Sequence, residues 1–141
     1  MRVYPKKPQK VYYFGTCLVD MMYPEAGMAG INLIQREGVR IIYPPRQTCC
    51  GQPAYNSGFP DEARTVARKQ IELFPEDYPI VVPSGSCAGM MRHHYPKLFG
   101  NDPDRERAFN FSKKIYELSE FLVHVLDIKL QDRGAPIKVT W

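Results

Sequence analysis

No stretch of this 141-residue chain approaches the ~18 consecutive apolar residues that span a bilayer, so a membrane span is not expected. The first residues, Met1-Arg2-Val3-Tyr4-Pro5-Lys6-Lys7, carry charge with no hydrophobic stretch behind them, and a secretory leader is not expected either. Basic residues gather only into short runs such as Lys6-Lys7 and Lys113-Lys114. A formal net charge of +4 spread in this way reads as a solvated surface, because nucleic acid calls for a concentrated basic stripe. Pro83-Ser84-Gly85-Ser86 lacks the lysine and the glycine spacing of a nucleotide-binding loop. Cysteine is scarce, at four. In the cytoplasm, the location these absences favour, four cysteines point to metal binding or redox chemistry before a disulfide framework.

What is present is ordinary globular material. Hydrophobic residues at 44% and charged residues at 24% are enough for one folded domain with a real core. The 13 prolines imply short, punctuated elements. Val11 to Gly15 reads as a buried strand, followed at once by Cys17 and then by a loop through Tyr23-Pro24-Glu25. Apolar residues at helical spacing predict a helix from about Ala26 to Glu37, with Gly38 as its stop. Val39 to Tyr43 is a second strand, ended by Pro44-Pro45. Gly51, Pro53, Asn56, Ser57 and Gly58 suggest a loop, and Pro60 opens a helix to about Leu73 whose buried side is Ala63, Val66, Ala67 and Ile71, followed by Phe74.

Ile80-Val81-Val82 is apolar throughout, as expected of a central strand covered on both faces. Pro83-Ser84-Gly85-Ser86-Cys87 follows directly, then a helix through Met90, Met91 and Tyr95 that Pro96 should limit. Asp102-Pro103 looks like another helix start. Ile115, Leu118, Phe121, Leu122, Val125 and Leu126 form the most amphipathic helical stripe, and Ile137 to Trp141 reads as a fourth strand. Alternating strands and helices predict an α/β fold, three-layered, with a mainly parallel sheet of about four strands. In such sheets the loops after the strands gather at the carboxyl edge, where ligands bind. Cys17, the Cys49-Cys50 pair and Cys87 each follow a different predicted strand, so three remote segments should deliver four thiols to one rim.

The centre of that reading is Gln47-Thr48-Cys49-Cys50-Gly51-Gln52-Pro53. Neighbouring side chains on one backbone cannot easily serve the same core, so adjacent cysteines make most sense as ligands or redox groups. Four sulfurs suit an iron–sulfur cluster and equally a tetrahedral zinc; a metal-free thiol–disulfide switch is a third option. Single cysteines and one pair from distant loops favour a larger guest at a domain edge over the close knuckle pairs of structural zinc. Gly51 lets backbone approach such a guest, and Ser84, Gly85 and Ser86 ahead of a helix can offer N–H groups to it and lower the Cys87 pKa. His93, His94 and His124 are expected on solvated or packed surfaces, and the Met21-Met22 and Met90-Met91 pairs as core filler. No residue suggests itself as a general acid or base.

Gly15-Thr16-Cys17, Thr48-Cys49-Cys50-Gly51-Gln52-Pro53-Ala54-Tyr55-Asn56-Ser57-Gly58, Pro83-Ser84-Gly85-Ser86-Cys87 and Tyr116-Glu117-Leu118-Ser119-Glu120-Phe121-Leu122 together resemble one repeat of the CCG cysteine-rich domain of iron–sulfur oxidoreductases, nearest its lactate-utilization and glycolate-oxidase subgroup. The resemblance covers nearly the whole chain. It implies metal ligands Cys17, Cys49, Cys50 and Cys87, cofactor-binding Gly51 and Ser86, and a [4Fe-4S] cluster. It also implies electron transfer in the oxidation of L-lactate or glycolate, with redox partner subunits. Heterodisulfide reductase B subunits of the family carry a further cysteine where this chain has Met90, so a four-thiolate site is expected here. Residues 1–136 would form the first repeat and 137–141 the start of a second. Apolar surface such as Ile137, Val139 and Trp141, uncovered without that second repeat, would favour self-association.

Overall fold

Successive residues of a strand face opposite sides of a sheet, and in β1 (Lys10–Tyr13) both sides are apolar: Val11, Tyr12 and Tyr13 are all buried, as is the following Phe14. Only a sheet covered on both faces satisfies such a strand. The computed structural model, which describes residues 2–129 and 134–138, contains that sheet. It adds β2 (Arg40–Ile42), β3 (Ile80–Val82) and β4 (Ile115–Glu117) in the order β2-β1-β3-β4, every pairing parallel. The register sets Val11 beside Ile41, Tyr13 beside Val81 and Val81 beside Tyr116.

The helices are α1 (Cys17–Met22), α2 (Pro24–Arg36), α3 (Gln52–Asn56) and α4 (Pro60–Leu73), then α5 (Gly85–Gly89), α6 (Tyr95–Leu98), α7 (Arg105–Lys113) and α8 (Leu118–His124). They divide into two layers. On one side Tyr12, Phe14, Ile80, Val82 and Ile115 pack with Ala63, Ala67 and Ile71 of α4 and Phe111 of α7. On the other, Val11, Tyr13, Val81 and Tyr116 pack with Ile34 of α2 and Phe121 and Leu122 of α8. The strand alternation therefore builds two separate cores, one per face.

The sequence reading holds for the three-layer α/β class and for the first three strands. The fourth strand comes from other residues. Ile115 and Tyr116 extend the apparent helical stripe, but they face opposite cores and pair with Ile80 and Val81. The helix starts only at Leu118, where Glu117 caps it and Glu120 reaches back in a capping box. Of the strand expected over Ile137 to Trp141, Ile137 and Lys138 are irregular and exposed; the remainder lies outside the described residues. The loops expected after Cys17 and after Gly51 are short helices, α1 and α3. Pro96 does not end its helix. Between α5 and α6 the chain widens into a π-helical turn, Met90–His94, which removes the need for the N–H that proline lacks and eases its clash with the preceding turn.

Candidate metal centre

Strand order reverses between β1 and β3, since the chain leaves β1 for β2 on one side and continues from β3 to β4 on the other. The carboxyl ends of β1 and β3 therefore flank the place where such sheets open a ligand crevice. Cys17 starts α1 just past β1, Cys87 lies in the first turn of α5 just past β3, and Cys49-Cys50 follow β2.

Each cysteine-bearing segment is pinned by a polar side chain. Gln47 turns its amide onto the end of β1, donating to the Tyr13 carbonyl and accepting from the Gly15 N–H, both at 2.9 Å. It thus ties the loop of the cysteine pair to the loop of Cys17. Buried Gln70 of α4 accepts from the Thr48 N–H at 3.3 Å and donates to the Thr48 hydroxyl at 2.7 Å. Tyr95, fully buried, donates its hydroxyl to the Cys50 carbonyl at 2.8 Å. Ser84 caps α5, its hydroxyl accepting from the Cys87 N–H at 3.5 Å and lying 3.2 Å from that of Ser86. Thr16 has φ 60° and ψ 145°, a conformation costing a side-chain-bearing residue about 1–3 kcal/mol. Its hydroxyl accepts from the Val19 N–H at 3.1 Å and caps α1.

The four thiols meet as two pairs. Cys50 and Cys87 are buried and interact with each other, and Cys17 and Cys49, the less buried pair, do likewise. None of the four is in a disulfide. Interaction with the Cys50 thiol outweighs burial and, with the Ser84 and Ser86 hydroxyls, pulls Cys87 down to about 6. The same interaction, together with burial, pushes Cys50 well up. Burial first, then the neighbouring Cys49, raises Cys17. Tyr95 is raised by its burial and then by the negative charge available at Cys50, Cys49 and Cys87, so it stays a hydrogen-bond donor. The pairs also sense one another, Cys17 interacting with Cys87 and Cys50 with Cys49.

Among the described residues, no three His, Cys, Asp or Glu side chains stand close enough together to hold one metal ion. The thiols converge as pairs without closing around a single point.

Gly51 contributes differently from the sequence expectation. Its φ is +85°, and a Cβ there would meet the Ala63 carbonyl oxygen of α4 at 3.3 Å, so its missing side chain makes room for α4. Toward the thiols it presents its N–H, which donates to the Cys49 sulfur at 3.4 Å. Ser86, beside Cys87, directs its hydroxyl to that of Ser84. Met90 is buried in the core that contains Cys50 and Cys87. His93 is exposed, His94 hydrogen-bonds to the Tyr55 hydroxyl at 3.1 Å, and exposed His124 stacks on Tyr4 with centroids 4.7 Å apart. The Met21-Met22 pair is exposed, not core filler, because α1 projects away from both cores. The positioning roles of Gln70 and Tyr95 escaped the sequence reading, although a glutamine on the Ala63, Ala67, Ile71 face of α4 is a legible signal of a buried polar clamp.

A parallel sheet whose carboxyl rim gathers four thiols from three crossovers defines a cysteine-rich α/β domain. Residues 11–92 match the family described as CCG, cysteine-rich domain, and the chain belongs to that family. It is 45% identical over 129 residues to lactate utilization protein A of Geobacillus kaustophilus, covering 91% of this chain and 53% of that protein. Lactate utilization protein A 2 of Bacillus cereus strain Q1 is 44% identical over 118 residues, 83% of this chain and 49% of that protein. Lactate utilization protein A of Halalkalibacterium halodurans is 44% identical over 133 residues, 94% and 54% respectively. The chain spans about half the length of the curated relatives it matches. No solved structure matches it. Among the described residues no helix is long and apolar enough to cross a membrane.

Proposed function

We propose that the chain is an iron–sulfur electron-transfer module acting in the oxidation of a 2-hydroxy acid, with Cys17, Cys49, Cys50 and Cys87 as ligands of a [4Fe-4S] cluster. The observation that carries this reading is the convergence of all four thiols, as two contacting pairs, on the rim where the sheet order reverses. The donor set fits: soft thiolates are the ligands such clusters take. A bound cluster would supply one-electron transfer. The chain's own part is to hold and tune. Cys87 is already biased toward thiolate, the Gly51 N–H reaches the Cys49 sulfur, and burial of Cys50 and Cys87 limits water at one side of the site. L-Lactate is favoured over glycolate by the names of the relatives. No residue is proposed as a general acid or base, and the substrate chemistry is assigned to a partner subunit or to the half of its relatives' length that this chain does not span.

The test is iron, sulfide and zinc analysis of protein purified without oxygen, beside Cys50→Ser. About four iron and four sulfide per chain, lost in the variant, is the expected result. Zinc alone would make the domain a structural docking module, and metal-free protein with four free thiols would leave the thiol–disulfide switch; either sinks the cluster.

A further inference from the structure

The helix that begins at Cys17 buries none of its own side chains. Leu18, Met21, Met22 and the following Tyr23 are 60, 78, 61 and 60% exposed, and Met28 and Tyr43 nearby are 54 and 44% exposed. A helix this short is not stable by itself and persists by packing an apolar face. Here the apolar side chains form a ridge that points into solvent. Beside the ridge lies a hollow of about 290 Å³ whose lining includes Tyr13, Val19, Asp20, Pro24, Met28 and Tyr43.

We propose that this face binds a second copy of the chain about a two-fold axis, the Met21-Met22 ridge of each copy seated in the hollow of the other. Two-fold pairing requires one surface to be its own complement, and a ridge next to a hollow on the same face meets that requirement. Methionine side chains are flexible and polarizable, so they can conform to an irregular hollow. The six exposed residues together leave on the order of 700 Å² in water, close to the ~800 Å² that each partner gives to a standard interface. Asp20 also lines the hollow, so each copy brings one carboxylate to the contact. Although the chain carries 19 Lys and Arg, none falls between Val11 and Gln35, so its net positive charge is not concentrated on this face. Asp20 and Glu25 are the acidic residues of that span. This inference is independent of the cluster reading, because the ridge is formed by α1 and its neighbours whatever the thiols hold.

Sedimentation equilibrium on the full chain tests it, run at about 100 µM, where an interface of this size should be populated, with iron-loaded and metal-free protein in parallel. A dimer is expected in both. Met21→Glu combined with Met22→Glu should weaken association at least ~100-fold, because both carboxylates would be desolvated in the hollow. The variant should keep the circular dichroism of the parent, since both positions are exposed. Val123→Glu, another exposed apolar position but on α8, should leave the dimer intact. A parent chain that is monomeric at this concentration overturns the proposal. So does a dimer that survives the double substitution, which would locate the contact elsewhere. A cluster test that fails while the dimer persists leaves this inference standing.

Discussion

Gln70 grips Thr48 with both ends of its amide, the oxygen accepting from the backbone N–H and the nitrogen donating to the side-chain hydroxyl. A residue adjoining the cysteine pair is thereby fastened to α4, which ties the cysteine loop to the body of the fold. Gln70→Leu keeps the volume and removes both bonds, leaving the Thr48 N–H unpaired. The expected loss is about 1–3 kcal/mol of unfolding free energy, read by urea titration of metal-free chain. A Gln70→Leu variant as stable as the parent would show that the clamp is dispensable.

Gly51 and Gly38 both have positive φ, but a Cβ at Gly38 meets nothing within 4 Å whereas one at Gly51 meets the Ala63 carbonyl oxygen. Alanine at either position bears the left-handed backbone penalty of about 1–2 kcal/mol. Gly51→Ala adds the contact with α4 and should be the more destabilising of the two in thermal unfolding. Equal effects would mean that α4 yields without cost.

Thr16 combines a strained backbone with a helix cap, and two substitutions separate these effects. Thr16→Ala keeps the strain and loses the cap, which should cost about 1 kcal/mol. Thr16→Gly loses the same cap but relieves the strain, so it should be clearly the more stable of the two variants by urea titration. The reverse order would argue that the backbone is relaxed there.

Burial would raise the Glu120 carboxyl, but the Arg92 hydrogen bond and the charges of Arg92 and Arg2 overcome it and hold the group below the ordinary value of 4.5. A depressed folded-state pKa contributes stability that is fully present above the unfolded value and is lost as pH falls through the folded one. Glu120→Gln should therefore destabilise the chain at pH 7 and change little in strong acid, where the parent carboxyl is protonated as well. A variant that parallels the parent at every pH would dissociate Glu120 from the acid limb of stability. The same carboxylate accepts from the Glu117 N–H, so the charge also serves the α8 cap.

The layers and three of the four strands were legible because their side chains obey one rule each. Runs such as Ile80-Val81-Val82 are apolar on both faces, and α2 and α4 carry a single apolar stripe. The thiol rim was legible for a topological reason, since cysteines placed just after parallel strands must share an edge. Ile115 defeated the same reasoning because it stands three residues before Leu118, a spacing that a helix and a strand-to-helix junction produce alike. What decided between them was pairing with β3, a contact distant in sequence. The clamps by Gln47, Gln70 and Tyr95 were hidden likewise: their partners lie 32 and 34, 22, and 45 residues away. Exposure of α1 was invisible because methionine is usually interior material, and only the folded chain shows that neither core reaches it.

Cys17 is the first residue of α1 and Met22 its last, so a rim thiol and the outward methionine ridge occupy opposite ends of one rod about 9 Å long. The rod leaves the sheet through Thr16, whose backbone is already turned into an uncommon conformation. A body seated on the far end would stand one short helix away from Cys17. The six-residue helix thus sets the exposed Met21 and Met22 within about one and a half turns of Cys17.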